Sequence, residues 1–576
     1  MTSDKNLEWE LEEGLPQVED PFIQQYLKGR DALITEEQKQ RHVEDATFRR
    51  TLSPIAARAC RIVSQIRARE HNEVWTAGLD PAAAHQSDEI LYPGVMFHHA
   101  KGRMENTKLW KIVEKMPKGS LLHAHIDAMF DIDFLLDQAF STAGMHIAAP
   151  APLITPEDYE TAPFMFRFSS QSHTSSDQPA IWSDKYEPTT LIPLETAASS
   201  FPNGGEAGFR EWVKSRCMIM PEHSYQHHHG VDAIWAIFKR TFTVINSILM
   251  YEPIFRVCFR RMLGQLAADG IRYVEFRIVL NPLYQREGSD EAEPDRTEFC
   301  RVFEEEVERF KETEEGKSFY EARIIWCSLR ALSNQDIVES MKQCISIKEQ
   351  FPDLICGYDL VGQEDAGRSL KDLVPLLFWF KKRCAEEGQD IPFFFHAGET
   401  LGDGDAADQN LFDAVLLGTR RIGHGFSLFK HPLLIDLIKE KKILVECCPI
   451  SNEILRLTSS IKSHPLPAML SRGVPVSLSN DDPAILGHGK NGLTHDFWQA
   501  LQGLENVDLA GLAMMVQNSI RWSCYEDQST AEWKAEVGEG ILGEGLKASR
   551  LREWHSDFEK FCEWVVMEFA EFDDDD

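Results

Sequence analysis

From residue 266 onward the chain repeats one pattern, a short β-rich run followed by a helical stretch with apolar residues three and four apart. The runs fall at 271–279, 322–329, 354–361, 391–396, 421–426, 443–448 and 474–478, with amphipathic stretches at 296–311, 335–349, 369–386 and 433–441 between them. An earlier run, 119–125, has the same character and brings the number to eight. Alternation of this kind implies parallel strands joined by crossover helices. Eight such units suggest the α/β class and a closed (β/α)8, TIM-like barrel. The rival is an open doubly wound sheet. No Gly-x-Gly-x-x-Gly follows a strand, which counts against dinucleotide binding.

A chain of 576 residues has more length than such a barrel needs. The surplus reads as an N-terminal helical extension over 1–115, clearest at 35–64 and 106–115, and an insertion at about 130–230 after the first strand. Within that insertion a helical stretch at 129–140 is followed by an irregular segment, 148–205, rich in Pro, Ser and Thr. A further helix is expected at 231–251. The barrel is assigned to 116–545, with a C-terminal helix and acidic tail over 546–576.

The formal net charge of −32 argues against nucleic acid or an anionic membrane as a partner, since phosphates would be repelled. No run is apolar enough for a bilayer span or a signal-peptide core. The twelve cysteines are scattered, several in apolar strand-like runs, and no Asn-x-Ser/Thr sequon occurs. These features predict an intracellular, cytoplasmic protein. The sequence leaves the oligomeric state open, a homodimer included.

Five strand ends carry unusual polar residues: His123-Ala-His125-Ile-Asp127, Asp359-Leu-Val-Gly362-Gln-Glu364, His396-Ala-Gly-Glu399, Gly423-His424-Gly425 and Ser479-Asn-Asp481-Asp482-Pro483. Side chains alternate along a strand, so His123 and His125 share a face and can grip a metal ion. An isolated His-x-His is usually an ordinary strand end, and Asp-Asp-Pro is usually a turn or cap. Five such ends on one face of one barrel point to chemistry. Other polar clusters read as structural. His227-His228-His229 suits a solvated loop or rim, and Cys447-Cys448-Pro449 suits packing. His488 and His495 read as cap or surface residues in preference to the mouth.

These motifs, in this order, resemble those of the metal-dependent adenosine/AMP deaminase superfamily. Met116-Pro-Lys-Gly-Ser-Leu-Leu-His123 and the Asp359 stretch resemble its adenosine deaminase-related growth factor branch. Members of that branch are commonly secreted, whereas no signal core is seen here; the third strand's end, Trp326 to Arg330, also lacks the polar histidine expected there. The resemblance implies one Zn2+ held by His123, His125, His396 and Asp481, with solvent in the remaining position. Glu399 would protonate purine N1, His424 would steer and deprotonate the water and stabilise the oxyanion, and Asp482 would bond N7. Gly362 would offer a backbone N–H to the ring and Asp127 would accept from a ribose hydroxyl. Trp235 would cap the base or ribose, with a core role equally open.

The reaction expected is hydrolysis of adenosine, and of 2′-deoxyadenosine, to the inosine product and ammonia. Deamination of an N6-modified nucleoside or of AMP is the nearest alternative. AMP would call for Arg or Lys at its phosphate, and Lys118 precedes the first strand, at the wrong end. Another barrel metal hydrolase would want a bridging lysine at a strand end, and none is placed there. A non-catalytic, growth-factor-like binder would have no need of ligands, acid and base together.

Overall fold

Eight parallel strands close on themselves in the computed structural model, which describes residues 9, 13–75, 91–171, 179–280, 284–489 and 492–573. In chain order the strands are β1 (Gly119–His125), β2 (Met145–Ala148), β3 (Met165–Phe168), β4 (Ile192–Pro193), β5 (Ile271–Ile278), β6 (Glu321–Leu329), β7 (Ile355–Val361), β8 (His396–Ala397), β9 (Arg421–His424), β10 (Leu444–Cys447) and β11 (Val476–Leu478). One arc runs β1-β5-β6-β7 and the other β8-β9-β10-β11. Parallel bridges Tyr358↔Phe393 and Ala124↔Asp481 join the arcs on both sides, closing the barrel. The expected (β/α)8 architecture is therefore present.

Two of the crossover helices begin where the sequence supplies serine caps. Ser333 and Ser369 accept from the N–H three residues on and start Asn334–Gln350 and Leu370–Glu386; each such cap contributes about 1 kcal/mol. The single helix expected at 35–64 is three: Pro21–Arg41, Ala46–Thr51 and Pro54–Glu70. Pro54 cannot extend a helix arriving from its N-terminal side, and Ser53 caps the next one. Pro54–Glu70 packs on the C-terminal helix Leu546–Glu568, and Ser53 Oγ donates to Glu559 at 2.7 Å.

The segment expected to be irregular is a small folded module. β2 pairs antiparallel with both β3 and β4. Helix Gly205–Cys217 adds Phe209 and Trp212 to an aromatic core with Tyr159, Phe164, Trp182 and Phe201. Phe164 stacks on Trp212 at 4.6 Å between ring centroids, and the indole N–H groups of Trp182 and Trp212 donate to Ala197 O and Tyr159 O. β3 and the long helix Gly230–Leu249 then reach over the barrel mouth, where both line its cavity.

Candidate active site

His123 and His125 lie on β1, His396 opens β8, and Asp481 follows β11. Four of their atoms, one from each side chain, lie within 4.8 Å of one another. His123 Nε2 and His125 Nε2 approach Asp481 Oδ1 at 3.1 and 3.3 Å, and His125 Nε2 is 3.4 Å from His396 Nε2. The second nitrogen of two of these rings is tied from behind: His123 Nδ1 to Glu446 Oε2 at 2.8 Å, His396 Nδ1 to Asp359 Oδ2 at 2.6 Å. Carboxylates at Nδ1 place the proton there and turn the Nε2 lone pair into the cluster.

Those inward atoms pass a simple test of fit to a cation. His123 Nε2 and Asp481 Oδ1 are buried and make no hydrogen bond. Left so, each would cost about 1–3 kcal/mol. Three imidazoles and a carboxylate form a donor set suited to zinc, and these four side chains would hold it. A second grouping within the same limit includes Cys448 with His123, His424 and Asp481. Cys448, read from sequence as packing, thus faces the cluster.

The backbone is bent to aim these groups. His424 and Asp481 have φ of 60° and 59°, in the left-handed region, at a cost of order 1–3 kcal/mol each. Gly423 is required beside them, since a Cβ there would lie 2.8 Å from His123 Cε1. Glu399 follows His396 across Gly398, and its loop is fixed by Glu364, which accepts from the Gly398 and Glu399 N–H groups at 3.2 and 2.8 Å. His424 Nε2 is 3.7 Å from both Glu399 Oε1 and Asp481 Oδ2.

Burial first, then the neighbouring Asp481 and Glu364 carboxylates, push Glu399 well above the usual carboxyl range. Asp482 rises likewise through burial and then Asp481 and Asp127. Burial would also raise Glu446, but Arg277 and Arg421 outweigh it and hold that carboxyl well below its usual range. Two carboxyls pushed upward thus sit above one held downward.

All of this opens into a cavity of about 980 Å³. His125, Asp127, Trp235, Gly362, His396, Glu399, His424, Asp481 and Asp482 are on its wall, and His123 lies behind it. Gly362 has φ of 101°, which a residue with a side chain rarely adopts. Trp235 stands on Gly230–Leu249 with Phe238 and Phe242. Asn246, which sequence reading missed, donates to Asp127 at 2.8 Å. Ser451 was also missed; it donates to Asp481 Oδ2 at 2.8 Å. His227, His228 and His229 form a single turn of helix away from this wall. His488 and His495 are neither cap nor surface: both are 1% exposed, His488 beside Asp496 and His495 bonded to Glu105. Lys118 is buried at the opposite barrel end against the carbonyls of Glu114, Met116 and Asp269.

Fold and site together define a class: a (β/α)8 barrel with a candidate cation site and buried carboxyls at the C-terminal ends of its strands. The profile of the adenosine deaminase family matches residues 219–539. An adenosine deaminase of Lutzomyia longipalpis is 34% identical over 448 residues, 77% of this chain and 81% of that one. Adenosine deaminase 2 of Sus scrofa is 33% identical over 440 residues, 76% and 81% of the two chains. Among solved structures, the adenine deaminase of Arthrobacter aurescens aligns over 74% of this chain and all of its own, at 20% identity and a TM-score of 0.46. The chain belongs to the adenosine deaminase family, on the side of its growth-factor-related branch, and is an aminohydrolase.

Proposed function

We propose that the chain hydrolyses the 6-amino group of adenosine, and of 2′-deoxyadenosine, to give the inosine product and ammonia with one zinc ion per chain. The observation that carries this reading is the convergence of His123, His125, His396 and Asp481 beside a buried Glu399 in one cavity. Zinc, when bound, lowers the pKa of a water to about 7. Glu399, held as the acid, delivers its proton to N1 and makes C6 electrophilic. Asp482, also held as the acid, donates to N7, and the Gly362 N–H meets the ring. His424 orients the attacking oxygen between Glu399 and Asp481 and stabilises the developing oxyanion. Asp127, steadied by Asn246, accepts from a ribose hydroxyl, while Trp235 covers the nucleoside from the rim.

An unphosphorylated substrate is favoured because each cation on the cavity wall already donates to an oxygen of the protein, with the buried Nε and Nη1 of Arg330 left without hydrogen-bond partners. Arg167 donates to Asp290 O, Lys239 to Gln363, and Arg330 to the carbonyls of Leu360 and His396. A cytoplasmic location fits twelve unpaired cysteines, eleven of them buried; among the described residues no helix is long and apolar enough to cross a membrane. The test is ammonia release and ultraviolet shift on adenosine, 2′-deoxyadenosine, N6-methyladenosine and AMP, before and after chelation and zinc restoration. The proposal expects adenosine to turn over, chelation to stop it and zinc to restore it. Turnover of AMP in preference to adenosine would overturn the substrate assignment.

A further inference from the structure

A buried chain of hydrogen bonds runs from the protein backbone to His424, and its direction can be read from one end. Leu466 N–H, which can only donate, lies 3.0 Å from His464 Nδ1. That nitrogen must therefore carry a lone pair, and the proton of His464 must sit on Nε2. Nε2 is 3.0 Å from Asn452 Oδ1, so it donates to the amide oxygen. The amide nitrogen is thereby turned to His424, with Asn452 Nδ2 3.3 Å from His424 Nδ1. An amide nitrogen only donates, which makes His424 Nδ1 an acceptor. Orientation of a histidine or asparagine is ordinarily assigned from its surroundings. Here the backbone N–H at the origin fixes every later link.

We infer that Asn452 and His464 are positioning residues that lock His424 in its Nε2–H tautomer, so that it presents a donor, and no lone pair, to the reacting centre. The far side of the ring agrees with this. Two carboxyl oxygens, Glu399 Oε1 and Asp481 Oδ2, each lie 3.7 Å from His424 Nε2, and the Asp481 carboxylate is an acceptor for a proton placed there. All three relay residues are shielded from water, with Asn452, His424 and His464 exposed by 0, 1 and 5%. Burial, with the neighbouring His424 adding to it, takes His464 down to about 3, so it stays neutral. The assignment rests on the deaminase reading above and departs from the expectation, drawn from the resemblance, that His424 also deprotonates the water. His424 donates to the attacking oxygen throughout, and it can accept the water's proton only if the whole relay inverts.

The test uses the zinc-loaded full chain with 15N-labelled histidine and long-range 1H–15N spectra, the His424 signals being identified by their loss in His424→Gln. The expected spectrum shows His424 Nδ1 unprotonated and Nε2 protonated. Asn452→Asp replaces the amide donor by an acceptor of the same shape, so Nδ1 should gain the proton and Nε2 lose it. The kcat for adenosine should then fall about 10²-fold or more, as when a preorganised donor to an oxyanion is lost, with KM changed less than about threefold. A structural role alone would lower melting temperature without inverting the tautomer. A protonated Nδ1 in the unaltered chain overturns the inference, as does an Asn452→Asp variant that inverts the tautomer yet keeps its kcat. A chain that shows the Nε2–H tautomer but releases no ammonia from adenosine would sink the deaminase reading and leave the relay standing.

Discussion

Two polar layers share the inside of the barrel, equally buried and opposite in their hydrogen-bond accounts. In the lower one, Arg277 donates to Asp359, Glu446 and Leu122 O, while Arg421 donates to Glu275, Glu446 and Trp522 O. All five charged side chains are fully buried, and none has a buried atom without a partner. In the upper layer His123 Nε2, Glu399 Oε1, Asp481 Oδ1 and Asp482 Oδ1 are buried with none. The saturated layer behaves as framework, since breaking it would strand a charge. The unsaturated layer has donors and acceptors in reserve for a cation and a substrate. His123 and His396 join the two, each with Nδ1 bonded to the lower layer and Nε2 facing the upper.

The difference can be broken first from above. His125→Ala removes an upper-layer atom only, so zinc content should fall from one per chain towards none and ammonia release should go with it. Metal analysis and a kinetic assay on the same sample check this. Glu399→Gln should lose about 10²–10⁴-fold in kcat while zinc content stays at one per chain. Zinc lost together with activity in Glu399→Gln would mean that Glu399 belongs to the cation's shell and is not the acid.

Cutting from below should cost stability as well as rate. Glu446→Gln leaves Arg277 and Arg421 each short of a carboxylate and removes the charge that orients His123. Unfolding free energy should drop by about 3–5 kcal/mol, and zinc affinity by about 10–100-fold. Chemical denaturation and zinc competition with a chelator measure the two separately. An unchanged melting curve would show that the lower layer is not the framework described.

Much of the upper layer was legible in the sequence because strand periodicity places His123 and His125 on one face, and because barrel topology collects strand ends at one mouth. The lower layer was not read, although it leaves a trace. Glu275, Arg277 and Glu446 stand inside otherwise apolar strand runs, where a charge has to find a buried partner. Which charge meets which depends on barrel closure, and no local pattern encodes that. The insertion stayed opaque for a different reason. Its strands have four, four and two residues, too short for alternation to show, and its stability comes from aromatic contacts such as Tyr159 with Trp212, far apart in the chain. Asn246 and Ser451 are ordinary polar residues on helices until the fold brings them to Asp127 and Asp481.

The finest version of the comparison lies seven residues along the chain. Glu446 and Glu453 are both fully buried, yet Glu446 lies between two arginines while Glu453 meets only neutral donors, Phe97 N–H at 2.8 Å and Gln499 Nε2 at 3.0 Å. Burial, with Asp496 adding to it against those two hydrogen bonds, takes Glu453 up to about 8 from an ordinary value of 4.5. A carboxyl raised on folding binds its proton more tightly in the native state. Its contribution is therefore fully present below about 4.5 and is lost as pH rises through about 8. Glu446, lowered on folding, has the opposite sign and loses its contribution as pH falls. Glu453→Gln keeps an acceptor for the Phe97 N–H and removes the titration. Between pH 5 and 8 it should gain stability over the unaltered chain, with a slope of at most about 1.4 kcal/mol per pH unit. Parallel unfolding curves across that window would mean that Glu453 ionises freely where it is, and that the absence of an arginine does not set it apart from Glu446.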